Sequence, residues 1–368
     1  MLKPSALARL VLSALLLFGI GWTAQGGDPV AATSRCGTPC RPAWAGIYPT
    51  VLTPWTCAGT VDLPALLAQV DYQLSGGVHG LLLLGTIGEG EVADHAERAT
   101  VISAVHAHVQ GRVPIIVGIH TADADVALAQ MAQAVELGAA AVLVKYTPGC
   151  CVRFPVVYEF YRRLALTQMI DLFIYYYPSQ TGLELHPAEI AQLLRLPRVV
   201  GIKNSILDLQ HVRKQIELTQ RPDRAFLSGT ALNLTQFQEA GGHGAMCPEA
   251  ALLPGPTVAA WRTAYELGAL DLARQQQREL FVVAPLLTRQ PVSARTARCF
   301  TMFMQDAELA QTVGAEASPA RLKYALGGLG IPMTPIVKPP LRQLGTLERV
   351  RIDSQMPAIR RAAGGTVW

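Results

Sequence analysis

Arg198-Val199-Val200-Gly201-Ile202-Lys203-Asn204-Ser205 is an apolar run that stops on a lysine just before the chain turns towards a helix. A short run with no polar alternation reads as a strand covered on both faces, which is the habit of parallel sheets. A lysine at the inner end of such a strand loses hydration. Desolvation disfavours its charged form and offers a free amine for attack on a carbonyl. An earlier apolar run ends in Tyr175-Tyr176-Tyr177-Pro178 and so places a phenol at the end of the neighbouring strand.

Working outward, short apolar runs at 46–53, 79–85, 113–119, 140–146, 170–177, 198–204, 224–229 and 243–247 read as strands. Segments with helical spacing lie between them, such as 63–74, 97–109 and 124–137. Helix starts carry suitable caps: Asp94 with Glu97 three later, Asp62 before Leu63-Pro64, and Asp208. Eight strand–helix units predict an α/β fold of the closed (β/α)₈ TIM-barrel type, with additional C-terminal helices. The expected division is a barrel at 45–256, a C-terminal helical extension at 257–344 and a loosely ordered tail at 345–368.

With 368 residues, half of them apolar, the chain can bury a large core. Its net charge of +4 is small, and no Lys/Arg run is interleaved with aromatics, which argues against a nucleic-acid partner. Lys3 and Arg9 precede an apolar stretch from Leu10 to Ile20, and Ala24-Gln25-Gly26 offers small residues for cleavage. Residues 1–27 therefore read as a secretory signal and 28–44 as a linker. The expected location is exported or periplasmic, with no stable membrane span after processing. A misassigned start codon would make the protein cytoplasmic. Cys36, Cys40 and Cys57 are near enough in sequence for two of them to be bridged on export. No Cys/His spacing fits a zinc site, and His95, His106, His108 and His120 read as surface or helix residues.

Chemistry in such barrels sits at the carboxyl ends of the strands. Strand 2 ends in Gly85-Thr86-Ile87-Gly88-Glu89, strand 5 at Tyr175, strand 6 at Lys203, and strand 7 at Ser228-Gly229-Thr230. Strand 8 opens at Gly241-Gly242-His243-Gly244. An amine, a phenol, a hydroxyl and a glycine-bordered turn then face one mouth, a set suited to imine chemistry on a small keto acid. Glu89 reads as the anchor of its glycine loop. Asn204 and Ser205 read as shaping the turn after Lys203, and His243 as packing or capping. Tyr146, Tyr158, Tyr161 and Tyr177 read as core or surface aromatics.

Over about residues 45–335 the chain resembles the dihydrodipicolinate synthase / N-acetylneuraminate lyase family of pyruvate-dependent class I aldolases. The residues that carry the likeness are Leu52-Thr53-Pro54, Gly85 to Glu89, Tyr175 to Gly182, Gly201-Ile202-Lys203, Gly241 to Gly244 and Gly330 to Pro335. The resemblance implies that Lys203 forms the Schiff base and that Tyr175 shuttles protons. It implies that Thr86 hydrogen-bonds this tyrosine, and that the N–H groups of Thr86 and Ile87 hold the keto-acid carboxylate. Gln180 and Met246 complete the expected substrate contacts. No cofactor is implied, because the imine on Lys203 is itself the electron sink. The partners implied are pyruvate, an aldehyde and further copies of the chain in a homo-oligomer.

Departures from the family pattern bear on substrate. Ile87 replaces a second hydroxyl residue, and Gln180 stands where the synthases of the family carry an arginine. Tyr146 matches a tyrosine lent by a neighbouring subunit only across a gap, and Tyr176 is expected to add bulk near the mouth. The leading expectation is a lyase or aldolase that makes or breaks a C–C bond next to pyruvate. The alternatives are 4-hydroxy-tetrahydrodipicolinate synthase and a non-catalytic keto-acid-binding protein.

Overall fold

The computed structural model describes residues 42–287 and 318–364. The expected signal segment, Cys36 and Cys40 lie outside the described residues. The strands are β1 (Gly46–Pro49), β2 (Leu81–Leu83), β3 (Ile115–His120), β4 (Ala141–Lys145), β5 (Asp171–Tyr176), β6 (Val199–Asn204), β7 (Ala225–Ser228) and β8 (Gly244–Cys247). They form one parallel sheet in the order β1-β8-β7-β6-β5-β4-β3-β2. A bridge between Thr50 and Leu82 joins β1 back to β2, with the Val51 N–H donating to the Leu82 carbonyl at 2.9 Å. The sheet is thereby closed into the expected (β/α)₈ barrel, and alternating helices cover it. The Asp62, Asp94 and Asp208 side chains cap their helices as their positions suggested.

Strand side chains alternate between two environments, as the pleat requires. Leu143, Phe173, Tyr175, Leu227 and Met246 meet inside the barrel. Val142, Val144, Tyr146, Ile174, Tyr176 and Ile202 point outward into the layer beneath the helices. This parity decides which strand-end residues reach the mouth.

One departure concerns the C-terminal part. Residues 345–368 were expected to form a loose tail, yet Thr346–Ala362 is a helix of 17 residues. Its composition is polar, but Ile352, Met356 and Ile359 stand at helical spacing and are buried. They join Trp261, Leu326 and Leu329 in a second core cluster outside the barrel. Pro357 lies inside this helix.

The loop after β2 is held by an unusual centre. Glu89 is buried, and its carboxylate accepts from the Trp55 indole at 2.9 Å and from the Lys338 backbone N–H at 3.0 Å. It also pairs with the equally buried Lys323 of the helix Pro319–Gly328. Burial pulls the Lys323 ammonium down to about 8, against the raising influence of Glu89. Both Leu84 and Glu89 adopt left-handed backbone, with φ of 53° and 59°, a conformation that costs a residue other than glycine about 1–2 kcal/mol. Gly90 is required where it stands, because a Cβ there would lie 1.9 Å from the Leu84 carbonyl oxygen.

Removing one partner of a buried ion pair leaves the other charge unpaired, typically at about 3–5 kcal/mol. Lys323→Met should lower stability by about that amount, read as a fall in the urea midpoint. Lys323→Met combined with Glu89→Gln should recover part of the loss. Unchanged stability in Lys323→Met would show that the pair does not hold the loop.

Candidate active site

Parallel register places Tyr175 of β5 directly beside Lys203 of β6. Both are about 5% exposed, and the Lys203 Nζ lies over the Tyr175 ring, 4.3 Å from its centroid. Gly201 permits this close packing below the site, since a Cβ there would approach the Ala225 carbonyl oxygen to 2.3 Å. Burial by itself raises the Tyr175 phenol. The cations of Lys203 and Lys145, with hydrogen bonds to Ser205 and Thr86, outweigh burial and bring it below its ordinary value. A phenol so placed gives up its proton more readily than an ordinary tyrosine does.

Thr86 sits on the loop after β2 with its side chain half-buried beside Tyr175. That loop is fixed from below, where Thr53 Oγ1 donates to the Gly88 carbonyl at 2.7 Å and Glu89 provides the buried anchor. Among the described residues the Thr86 and Ile87 N–H groups donate to no backbone carbonyl. The Ile87 side chain packs against the second core cluster, so only its backbone is presented to the mouth. Met246, buried on β8, belongs to the barrel-interior cluster with Tyr175 and Tyr48. Gln180 lies in the short helix Pro178–Thr181 after β5, exposed at the rim. Tyr177 stacks on Tyr175 at 5.7 Å between centroids.

Three residues at this mouth escaped the reading of strand ends, which passed over β3 and β4. Lys145, the last residue of β4, is buried and points inward. Its Nζ donates to Thr86 Oγ1 at 3.0 Å and to Gln180 Oε1 at 2.6 Å, and it pairs with Glu91. His120 ends β3 and pairs with Lys145 in the register. It is not the surface residue expected, since its side chain is 1% exposed. Its Nε2 lies 2.9 Å from the Leu84 carbonyl and must donate there, so Nδ1 is the bare nitrogen. Burial first, then the Lys145 cation, holds this imidazole well below its ordinary value and therefore neutral. Glu91, partly exposed, completes the group, with its Oε1 3.8 Å from His120 Nδ1.

Alternation accounts for two tyrosines, one packed in the core as expected and one not where it was expected. Tyr146 follows Lys145 and therefore faces outward, where it meets Phe160 edge-on at 4.8 Å. Tyr176 likewise turns away from the mouth, stacking on His211 and donating to the Leu185 carbonyl. It adds no bulk at the site.

Comparison with known proteins agrees with this architecture. A family model described as the dihydrodipicolinate synthetase family matches residues 43–299. A 4-hydroxy-tetrahydrodipicolinate synthase from Teredinibacter turnerae is 28% identical over 296 residues, covering 80% of this chain and 94% of its own length. A DapA-like lyase from Halobacterium salinarum is 29% identical over 253 residues, covering 68% of this chain and 81% of its own. Among solved structures, dihydrodipicolinate synthase from Thermotoga maritima is 25% identical with a TM-score of 0.72, covering 87% of this chain and 98% of its own. A prophage protein from E. coli K12, solved in complex with pyruvate, has a TM-score of 0.73 at 23% identity, covering 86% and 99%, and shows the shared fold. With most of its length matched by the family model and a lysine–tyrosine pair at the mouth of a closed barrel, this chain belongs to the dihydrodipicolinate synthetase family, as a lyase of the class I aldolase type.

Proposed function

We propose that the protein forms a Schiff base between Lys203 and a 2-keto acid, pyruvate foremost, and makes or breaks the C–C bond next to it. The observation that carries this reading is the buried Lys203 Nζ lying 4.3 Å over the Tyr175 ring, beside a phenol held below its ordinary value. The Lys203 amine adds to the keto carbon to give a carbinolamine. Tyr175 supplies a proton to the departing oxygen, which leaves as water and gives the imine. The cationic imine then accepts electrons from the adjacent carbon, so a bond there breaks or forms through an enamine. The Thr86 and Ile87 N–H groups are suited to the keto-acid carboxylate, being fixed donors that need no reorganisation. Gln180 and Met246 complete the proposed substrate contacts.

The names of the 28% identical relatives favour a second reading, 4-hydroxy-tetrahydrodipicolinate synthase acting on pyruvate and aspartate semialdehyde. Against it, Gln180 offers no charge-assisted fork for the second carboxylate. Export, if the first 27 residues direct it, would also separate the enzyme from a biosynthetic pool. Assembly into a homo-oligomer is part of the proposal.

Borohydride added with pyruvate should modify Lys203, mapped by peptide mass, and Lys203→Ala should abolish the label without unfolding the protein. Label on Lys145 instead would overturn the assignment.

Tyr175→Phe should still trap pyruvate, more slowly, but lose most turnover, since general acid–base transfer contributes roughly 10²–10⁴-fold. Parental turnover in this variant would move the proton-transfer task away from Tyr175.

A further inference from the structure

We propose that Lys145 is a positioning residue that completes a proton relay running from Tyr175 through Thr86 and Lys145 to Glu91 at the rim of the barrel. The proposal rests on the Schiff-base reading above and adds to it the path by which the phenol exchanges protons with solvent.

The geometry sets a direction. An ammonium has three donors and no acceptor, and all three protons of Lys145 have partners: Thr86 Oγ1, Gln180 Oε1 and Glu91 Oε1. Because Lys145 occupies a lone pair of the Thr86 hydroxyl, the single Thr86 proton is left to point at Tyr175, the other partner of that hydroxyl. Gln180 holds the ammonium against rotation from the opposite side. Glu91 is the only member of the chain of groups with substantial exposure, its side chain being 41% accessible while that of Lys145 is 1%. The buried end is therefore the phenol and the open end the carboxylate.

One pass moves one proton. The Tyr175 phenolate takes the Thr86 hydroxyl proton, and Thr86 takes one from the Lys145 ammonium. The Glu91 carboxylate then takes a proton from solvent and passes it to the Lys145 amine, which restores the ion pair. The reverse sequence discharges the phenol after Tyr175 has taken a proton from the substrate.

Of the other groups around the phenol, Lys203 on β6 is the proposed nucleophile and Ser205 hydrogen-bonds the phenol. His120 on β3 is neutral and faces Glu91, so it adds no competing charge. Cys247 on β8 is pushed well above its ordinary value by burial and stays a thiol.

The test uses the full chain and pyruvate alone in deuterated water, with exchange of the pyruvate methyl protons followed by NMR. Lys145→Met should still be labelled at Lys203 by pyruvate and borohydride. Its exchange rate should fall by roughly tenfold or more, and the limb of the pH profile that reports phenol ionisation should move to higher pH, because a cation that favours phenolate is gone. Lys145→Arg keeps the ion pair but cannot pass its proton on, so it should exchange as slowly as the Met variant. Lys145→Ala should recover speed when ethylamine is added. Parental exchange in Lys145→Arg, or no recovery with ethylamine in a folded Ala variant, would overturn the relay and leave the Schiff base standing. Absence of pyruvate trapping in the parent protein would overturn the Schiff-base reading and the relay with it.

Discussion

The Glu89 carboxylate is the constraint on which the mouth of this barrel depends. Buried charge is tolerated only where it is paired and hydrogen-bonded, and Glu89 gathers its partners from three distant parts of the chain. Trp55 comes from the loop after β1, Lys323 from a C-terminal helix, and the Lys338 N–H from the segment that follows. The loop carrying Thr86 and Ile87 is thereby pinned at its far end to the C-terminal helices. Two left-handed residues, Leu84 and Glu89, bracket that loop. Such strain persists only where the surroundings over-determine it, and this carboxylate is what over-determines it here. The C-terminal extension is therefore part of the site's support.

A second constraint is the pleat. Each strand presents alternate residues to the interior, and the mouth can hold only those of the right parity. Phe173, Tyr175 and Tyr177 share one face of β5 and its extension, while Ile174 and Tyr176 take the other. In β4 the same rule sends Lys145 inward and Tyr146 outward. A tyrosine that invites comparison with family patterns is thus turned from the mouth by one position, and a lysine faces it instead.

Much of this was legible in the sequence, because apolar runs of strand length, separated by capped helical segments, leave few alternatives to a closed barrel. Lys203, Tyr175 and Thr86 could be placed because each ends a strand or begins the loop after it. Lys145, His120 and Glu91 were missed although Lys145 and His120 also end strands. Their runs, Val142-Leu143-Val144-Lys145 and Val117-Gly118-Ile119-His120, carry the same signal as the run before Lys203. A lysine at a strand end reads as solvated until its partners are known, and those partners come from loops after β2 and β5. The Thr346–Ala362 helix was hidden for another reason. Its three buried apolar residues are diluted by charged neighbours and an internal proline, so only the core they meet makes them a packing stripe.

The proposed nucleophile is one of two buried lysines at this mouth, and their surroundings differ. Lys145 is bound on all sides: a carboxylate, an amide oxygen and a hydroxyl occupy its three donors. Lys203 has no carboxylate partner among the described residues, and its partner in the register is Tyr175, over whose ring its Nζ lies. The same pair of cations acts jointly on Tyr175, offsetting the burial that would keep it a neutral phenol. One lysine is thus held in an ion pair and the other is left without one. That difference rests on Glu91, a carboxylate on the same loop that Glu89 holds in place.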